Sequence, residues 1–286
     1  MWNKYEQMFL GCESGYNEAE IVLFGAPFDS TVSYHPGARF GPAEMRAQSF
    51  GIETYSPYED RDLEDEKVFD GGDLALCIGD APKALLTIKE RVDMILADGK
   101  IPCMLGGEHL VTLGAVQAVA EKHPDLAIIH FDAHADLRED YLGAKLSHAC
   151  VMRRCFEVLG AGRIYQFGIR SGDKDEFAFS REGHVAMRRF DFAGLEEVVK
   201  SLNGTPVYFT IDLDVLDPSA FPGTGTPEAG GVTFLELLRA MQVVCEGANV
   251  VGCDVVELCP PYDQSGVSTL TACKVLRELL LGITKK

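Results

Sequence analysis

Short, continuous runs of apolar residues recur along the chain, and longer segments between them repeat apolar residues with a helical period. A short apolar run is typical of a strand buried on both faces, and a longer periodic segment is typical of an amphipathic helix. The strands predicted in this way cover residues 20–25, 67–70, 101–105, 126–131, 163–168, 185–189, 207–211 and 249–256, with 185–189 at an edge of the sheet.

Helical patterns fill most of the intervals between these strands. They cover residues 82–97, 109–121, 148–159, 173–181, 195–202, 232–244 and 266–281, and a further helix begins at Gly41-Pro42. Strands that alternate with helices favour an α/β fold, a three-layer sandwich in which helices flank a mostly parallel sheet of roughly eight strands. No linker and no repeat interrupts the pattern, which predicts a single domain over residues 1–286.

Acidic residues outnumber basic ones, which gives a net charge of −18 and a pI near 4.7. This balance argues against a nucleic-acid or anionic-membrane partner and favours cationic ligands. Part of the charge lies in residues 58–66, which we expect to be a solvated surface excursion.

The nine cysteines form no C-x-x-C pair and lie in apolar segments, as expected for reduced, buried thiols. The first residues show no signal-peptide pattern, and no apolar run approaches the ~20 residues of a membrane span. These features predict a cytoplasmic protein without a membrane partner.

The strand at 126–131 runs directly into Asp132, His134 and Asp136, which alternate with two alanines. Side chains at every second position of an extended segment point the same way, so these three groups converge on one volume. A hydrogen-bonded loop at a strand end is the alternative interpretation of this motif. The sequence favours a metal site over it because further ligand-type residues follow other strands.

Three such residues end two other predicted strands: His109 follows the strand at 101–105, and Asp212 and Asp214 follow the strand at 207–211. In open parallel sheets, ligands bind beyond the carboxyl ends of the strands, where these residues lie. Carboxylates gathered there without cations would repel one another and take up protons, whereas two divalent cations would balance the charge. Carboxylate-rich ligands of this kind suit manganese. Cys103 and Cys150 lie nearby in sequence but are interpreted as core residues, not as ligands. Two such ions can activate a shared water for hydrolysis.

The combined motifs resemble those of the ureohydrolase family, which includes arginases, agmatinases and related guanidino-acid hydrolases. The matching segments are Gly-Gly-Glu-His at 106–109, the Asp132/His134/Asp136 motif, residues 210–218, residues 222–228 and Glu257. Three further features are similar to the bacterial agmatinase branch: Tyr34, the Pro-Gly-Ala-Arg-Phe-Gly-Pro segment at 36–42, and Ser147-His148. His35 departs from that pattern, which often has arginine there. The resemblance covers nearly the whole chain and implies an arginase-like fold.

The resemblance also implies how the site works. His109 and Asp136 would bind one manganese ion, His134 and Asp214 the other, and Asp132 and Asp212 would bridge the two Mn²⁺. A hydroxide between the metals would attack the guanidinium carbon of agmatine, giving urea and putrescine. His148 would transfer a proton, and Glu257 would accept hydrogen bonds from the guanidinium group. The family further implies a homotrimer or homohexamer.

Several alternatives stay open. His148 is alternatively a helix-capping or packed histidine, and Glu257 a salt-bridged carboxylate. The substrate is alternatively guanidinobutyrate or arginine, whose carboxylate Arg138 or Lys145 could clamp, although Glu139 and Asp140 would repel it. A zinc deacetylase would need adjacent histidines, which the sequence lacks. An inactive metal-binding regulator would be expected to lack some ligands, and none is missing.

Overall fold

The structure is a computed structural model that describes residues 7–284. Residues 1–6, where the sequence lacks a signal-peptide pattern, lie outside the described residues. The strands are β1 (Ile21–Ala26), β2 (Tyr55–Ser56), β3 (Arg61–Asp62), β4 (Val68–Asp73), β5 (Ile101–Gly106), β6 (Ala127–Phe131), β7 (Ile164–Ile169), β8 (Ala186–Arg189), β9 (Pro206–Asp212) and β10 (Asn249–Val256).

Eight of these strands form one sheet in the order β4-β1-β5-β10-β9-β6-β7-β8. Every pairing within this sheet is parallel, and the predicted edge position of β8 is confirmed. The helices are α1 (Gly41–Gln48), α2 (Ala81–Ala97), α3 (Val111–Lys122), α4 (Val151–Leu159), α5 (Lys174–Arg181), α6 (Leu195–Leu202), α7 (Phe234–Gly247) and α8 (Val267–Ile283). The predicted fold class, a mostly parallel sheet flanked by helices, is confirmed.

Two apolar cores lie on opposite faces of the sheet. Ile21 and Leu23 of β1 pack in one core with residues of α1, α6, α7 and α8, whereas Val22 and Phe24 pack in the other with residues of α2, α3 and α4. Successive residues of a strand point to opposite faces, so this division places one helical layer on each side of the sheet. The three-layer arrangement follows from strands that carry apolar residues on both faces.

The acidic segment at 58–66 differs from the expectation of a solvated excursion. It contains part of the antiparallel β2–β3 hairpin, and its Leu63 is fully buried. Ser56 donates a hydrogen bond to the buried carboxylate of Glu278 in α8 at 2.6 Å. The expectation was wrong for Leu63 because periodicity in a charged segment does not reveal which single apolar residue docks on the core.

Two helices beside the candidate site begin later than predicted. α3 begins at Val111 rather than His109, and a short 3-10 turn at His148–Cys150 precedes α4. His109 and His148 therefore lie in connections at the carboxyl edge of the sheet, where backbone geometry is set by neighbouring loops. In residues 7–284, the longest apolar helices are too short or too polar to cross a bilayer.

Candidate metal centre

The imidazole of His109 faces a group of buried carboxylates. Its Nδ1 atom lies 3.0 Å from Asp132 Oδ2, 3.2 Å from Asp212 Oδ2 and 3.4 Å from Asp136 Oδ2. This Nδ1 atom is buried and has no hydrogen-bond partner among the described residues. A buried imidazole nitrogen aimed at carboxylate oxygens is a donor set that fits a divalent cation.

A second imidazole, that of His134, faces the other side of the same aspartate. Its Nδ1 atom lies 2.9 Å from Asp214 Oδ2 and 3.5 Å from Asp132 Oδ1. Asp132 therefore turns one oxygen toward His109 and the other toward His134. The described residues provide ligand atoms for two adjacent cation positions that share Asp132, and Asp132, His134 and Asp214 form one compact group of such atoms.

The charges of this cluster are balanced only by proton uptake when no cation is bound. Burial and the neighbouring Asp132 charge raise the pKa of Asp136 to about 7. Burial also raises the pKa of Asp212 well above its usual value, and Asp214 adds to the rise. Burial opposes a charged imidazole at His109, but its close contacts with the three carboxylates raise its pKa well above 6.5. The cluster therefore has the electrostatic character of a cation site.

The backbone at two site residues adopts an unusual conformation. Asp136 has φ 54° and Glu257 has φ 65°, values in the left-handed region that is rare for residues other than glycine. The backbone N–H of Glu257 donates to the carbonyl of Gly107 at 2.9 Å. A Cβ atom at Gly107 would lie 2.0 Å from the carbonyl oxygen of Phe28, so only glycine fits there. Such strain is concentrated at functional sites.

The side chain of Glu257 lies next to the carboxylate cluster. Its Oε1 atom accepts a hydrogen bond from the backbone N–H of His109 at 2.7 Å, and the residue is buried. Burial, followed by the charge of Glu108, raises its pKa well above the usual value. Its Oε2 atom is 3.6 Å from the position of a Cβ at Gly225, in the glycine-rich 222–231 segment. Only one oxygen of Glu257 is used by the His109 backbone.

His148 lies at the start of the 3-10 turn before α4, outside the group of ligand atoms. Its Nε2 atom is 3.1 Å from the hydroxyl of Ser33, and its backbone N–H donates to Thr31 Oγ1 at 3.1 Å. Thr31 in turn donates to the buried carboxylate of Glu108 at 2.5 Å. Burial lowers the pKa of His148 to about 4, so the imidazole is neutral at neutral pH. The loop after β1 thus holds His148 beside the cluster.

Several charged side chains of the segment after Asp136 form ion pairs. The carboxylate of Glu139 is half exposed and lies 3.0 Å from Arg153 and 3.3 Å from Lys145. Arg138 pairs with Asp173 at 2.9 Å. Glu139 is therefore engaged by basic neighbours, and the repulsion of a substrate carboxylate by Glu139 and Asp140 stays a prediction. Arg138 and Lys145 are likewise held in ion pairs.

The side chain of His35 is part of an aromatic stack. Its ring centroid lies 3.6 Å from that of Tyr34 and 4.0 Å from that of Tyr262. The carbonyl oxygen of His35 is 3.0 Å from the position of a Cβ at Gly225, the glycine beside Glu257. The backbone of His35 therefore lies close to Gly225 and Glu257, at a position where the resembled motif often has arginine.

The sequence interpretation missed His130, a buried residue two positions before Asp132. Its Nε2 atom lies 2.7 Å from Asp132 Oδ2, and it forms a second compact group of potential ligands with His109 and Asp132. The amide of Gln166 donates to His130 Nδ1 at 3.0 Å and to the carbonyl of Ala135 at 2.7 Å. Both ring nitrogens of His130 are thus engaged within the protein. Continuing the alternation of Asp132, His134 and Asp136 backwards along the strand would have found it.

A paired-imidazole, carboxylate-rich centre at the carboxyl edge of a parallel sheet defines a class of metal-dependent hydrolase. Comparison with known proteins is consistent with this class: a model of the arginase family matches residues 19–282. The chain belongs to the arginase family.

Individual relatives cover nearly the whole chain. An agmatinase from Bacillus subtilis (strain 168) is 48% identical over 281 residues, which are 98% of this chain and 97% of the relative. A crystal structure described as a candidate agmatinase from Clostridium difficile superimposes with a TM-score of 0.92 at 50% identity and covers 94% of this chain and 99% of its own. The agmatine ureohydrolase of Thermoplasma volcanium superimposes with a TM-score of 0.88 at 35% identity, covering 97% and 94%.

Proposed function

We propose that this chain is an agmatinase, a hydrolase that cleaves a guanidino C–N bond of agmatine to give putrescine and urea. The observation that carries the proposal is the sharing of Asp132 between two inward-facing imidazoles, 3.0 Å from His109 Nδ1 and 3.5 Å from His134 Nδ1. The similarity to agmatinases at 48–50% identity supports the choice of substrate. The residues 1–286 form one catalytic domain in this proposal.

We assign two Mn²⁺ to the cluster. His109 and Asp136 would hold one ion, His134 and Asp214 the other, and Asp132 and Asp212 would bridge. Two contacts support this division. His109 lies 3.4 Å from Asp136, and His134 lies 2.9 Å from Asp214. Manganese is proposed over zinc because carboxylates outnumber imidazoles and no thiol is required.

Bound as a pair, such ions lower the pKa of a water and so supply a nucleophile at neutral pH. The protein's own residues orient the substrate and move protons. Glu257 would accept a guanidinium N–H through the oxygen that the His109 backbone does not use. His148, neutral and next to Ser33, would take up a proton and deliver it to the leaving amine.

A cationic tail on the substrate agrees with the surroundings of the site. Arg138 and Lys145, the side chains considered for a carboxylate clamp, are held by Asp173 and Glu139. A substrate carboxylate would therefore lose its hydration without gaining these partners, which is costly. The Tyr34–His35–Tyr262 stack instead presents aromatic rings, which attract cations.

Cytoplasmic location and assembly as a homotrimer or homohexamer complete the proposal. The cysteines within residues 7–284 are all free, and most of them are buried, which supports a reducing compartment. Light scattering on the purified protein tests the assembly, since a monomer would contradict it.

The experiment that tests the function is urea release from agmatine, arginine and guanidinobutyrate after loading with Mn²⁺. We expect kcat/KM for agmatine to exceed that for arginine by ~10²-fold or more, which corresponds to about 2.7 kcal/mol. Equal efficiency on agmatine and arginine would show that the site does not discriminate against a carboxylate. A preference for guanidinobutyrate would require Arg138 or Lys145 to leave its ion pair.

A further inference from the structure

A row of buried polar residues crosses four neighbouring strands of the sheet. Asp254 of β10 is the register partner of Thr210 of β9, Thr210 is the partner of His130 of β6, and His130 is the partner of Gln166 of β7. We call these four residues the polar row. Each of them is at most 1% exposed. Burying so many polar groups in an otherwise apolar sheet is unfavourable unless each has a partner.

The polar row lies immediately beneath the candidate metal ligands. Asp212 follows Thr210 by two positions, and Asp132 follows His130 by two positions. Because side chains two apart along a strand point to the same face, the row is the next layer below the two proposed bridging aspartates. The polar row can therefore contact the ligands from the side opposite the cations, without reaching the cations itself.

The polar row has two arms: Asp254 with Thr210, and His130 with Gln166. The first arm contacts His109 through Thr210. The Nε2 atom of His109 lies 2.9 Å from the hydroxyl oxygen of Thr210, while its Nδ1 atom faces the carboxylates. For Nδ1 to offer a lone pair to a cation, Nε2 must carry the ring proton and donate it to the Thr210 oxygen. The Thr210 hydroxyl then needs an acceptor for its own hydrogen.

Asp254 provides that acceptor. Its Oδ2 atom accepts hydrogen bonds from Thr112 at 2.8 Å and from Tyr208 at 2.7 Å, whereas its buried Oδ1 atom has no partner that meets hydrogen-bond geometry. Thr210 is the register partner of Asp254 on the adjacent strand, and its hydroxyl is a hydrogen-bond partner of this carboxylate. Burial raises the pKa of Asp254, while the charge of His109 and hydrogen bonding from Thr210 oppose the rise.

The other arm of the row contacts Asp132. Gln166 donates to His130 Nδ1 at 3.0 Å, which leaves the ring proton on Nε2. That proton is donated to Asp132 Oδ2 at 2.7 Å. A flipped Gln166 amide would place its oxygen against the carbonyl of Ala135, which now accepts at 2.7 Å, so the direction of this arm is fixed by the fold.

We propose that the polar row positions the metal ligands: Asp254 and Thr210 hold His109 with Nδ1 toward the cations, and Gln166 and His130 hold one oxygen of Asp132. These are positioning residues, since they reach the cations only through His109 and Asp132. The proposal rests on the proposed binuclear site. Groups that orient metal ligands in this way change metal affinity by roughly 10–100-fold.

The test is a Mn²⁺ titration of the metal-free protein, in which free Mn²⁺ is measured by electron paramagnetic resonance. Thr210→Val removes the hydroxyl at nearly constant volume and should weaken binding of one of two ions by tenfold or more. Thr210→Ser restores the hydroxyl and should bind within about threefold of the unmodified protein. Tyr208→Phe is the matched control, because it removes another buried hydroxyl from the same carboxylate without touching His109, and it should also stay within threefold.

Gln166→Leu tests the other arm in the same titration and should weaken Mn²⁺ binding by tenfold or more. Circular dichroism establishes which variants fold. The test requires only that either Thr210→Val or Gln166→Leu is folded. Affinity within threefold of the unmodified protein in a folded variant, or an equal loss in Tyr208→Phe, would overturn the proposal. Failure of the proposed function can be distinguished from failure of this proposal. If the proposed function fails, the unmodified protein itself binds no pair of Mn²⁺ ions and releases no urea.

Discussion

Asp132 is the residue on which both halves of the metal centre depend. Its oxygens lie between His109 and His134, and His130 holds it from behind. Burial raises the pKa of Asp132, but the adjacent imidazoles of His130, His109 and His134 lower it well below its usual value. A carboxylate that stays ionised in the core is suited to share two cations.

The first prediction at this scale concerns Asp214, which contacts only His134 among the ligand imidazoles. Asp214→Ala should reduce bound manganese from two ions per chain to one, because the remaining ligands around His109 are intact. Metal content after gel filtration measures the change. Asp175→Ala, an exposed carboxylate, is the control and should keep both ions. One ion per chain in both the unmodified protein and Asp214→Ala would contradict the two-metal site.

The second prediction concerns His148. His148→Ala should leave metal content unchanged and slow urea release by roughly 10²-fold or more, the usual effect of losing a general acid or base. His184→Ala is the control, since that imidazole stacks on Phe179 away from the cluster. Normal turnover by His148→Ala would assign His148 a purely structural role.

Residue-level prediction from the sequence succeeded where a local period carries the information. Alternation placed Asp132, His134 and Asp136 on one side of the chain, and the structure brings them together with His109, Asp212 and Asp214. The orientation of Glu139 could not be predicted, because its partner Arg153 lies on a helix fourteen positions later. Side-chain direction in a loop depends on such distant neighbours.

Among the elements, the connections after β1 and β5 set the geometry of the site. The backbone N–H of Glu108 donates to the carbonyl of Phe28 at 2.8 Å, and Glu108 then holds Thr31, which contacts His148. This contact between two loops requires the absence of a side chain at Gly107.

Gly107→Ala should therefore lower the free energy of unfolding by about 3 kcal/mol, because overpacking typically costs roughly 1–3 kcal/mol and the backbone of Phe28 cannot move aside. Chemical denaturation measures the loss, and activity should fall with it because His148 shifts. Gly15→Ala is the control, as its nearest neighbour is 3.9 Å from the added carbon. An equal effect of the two substitutions would show that the two loops separate freely.

The elements themselves were largely predictable, and their order in the sheet was not. Apolar runs located β1, β5, β6, β9 and β10 to within about two residues, because a buried parallel strand needs apolar residues on both faces. The insertion of β10 between β5 and β9 depends on contacts between residues far apart in sequence. The two-residue strands β2 and β3 were missed because they are too short to show a period.

For the whole molecule, the metal centre links stability to pH. In the metal-free protein the pKa of Asp136 is raised from 3.8 to about 7, so the folded state holds a proton there that the unfolded chain releases. Stability from this group is present at low pH and is lost as the pH rises toward 7. The raised pKa values of His109 and His134 extend the loss above 6.5.

The stabilisation that Mn²⁺ provides should therefore increase with pH, because bound cations replace the protons that the cluster loses. We expect the rise in Tm on adding Mn²⁺ to be larger at about pH 8 than at about pH 5, as measured by scanning calorimetry. A constant or shrinking rise in Tm over this interval would contradict the link between proton release and metal binding.

The central claim is that two ions lie between His109 and His134, and the most direct measurement is a crystal structure of the manganese-loaded protein with an anomalous difference map. The proposed site predicts two peaks ~3.5–4 Å apart. One should contact His109 Nδ1 and the other His134 Nδ1, with Asp132 and Asp212 touching both. A single peak, or a peak coordinated by His130 instead of His109, would contradict the claim.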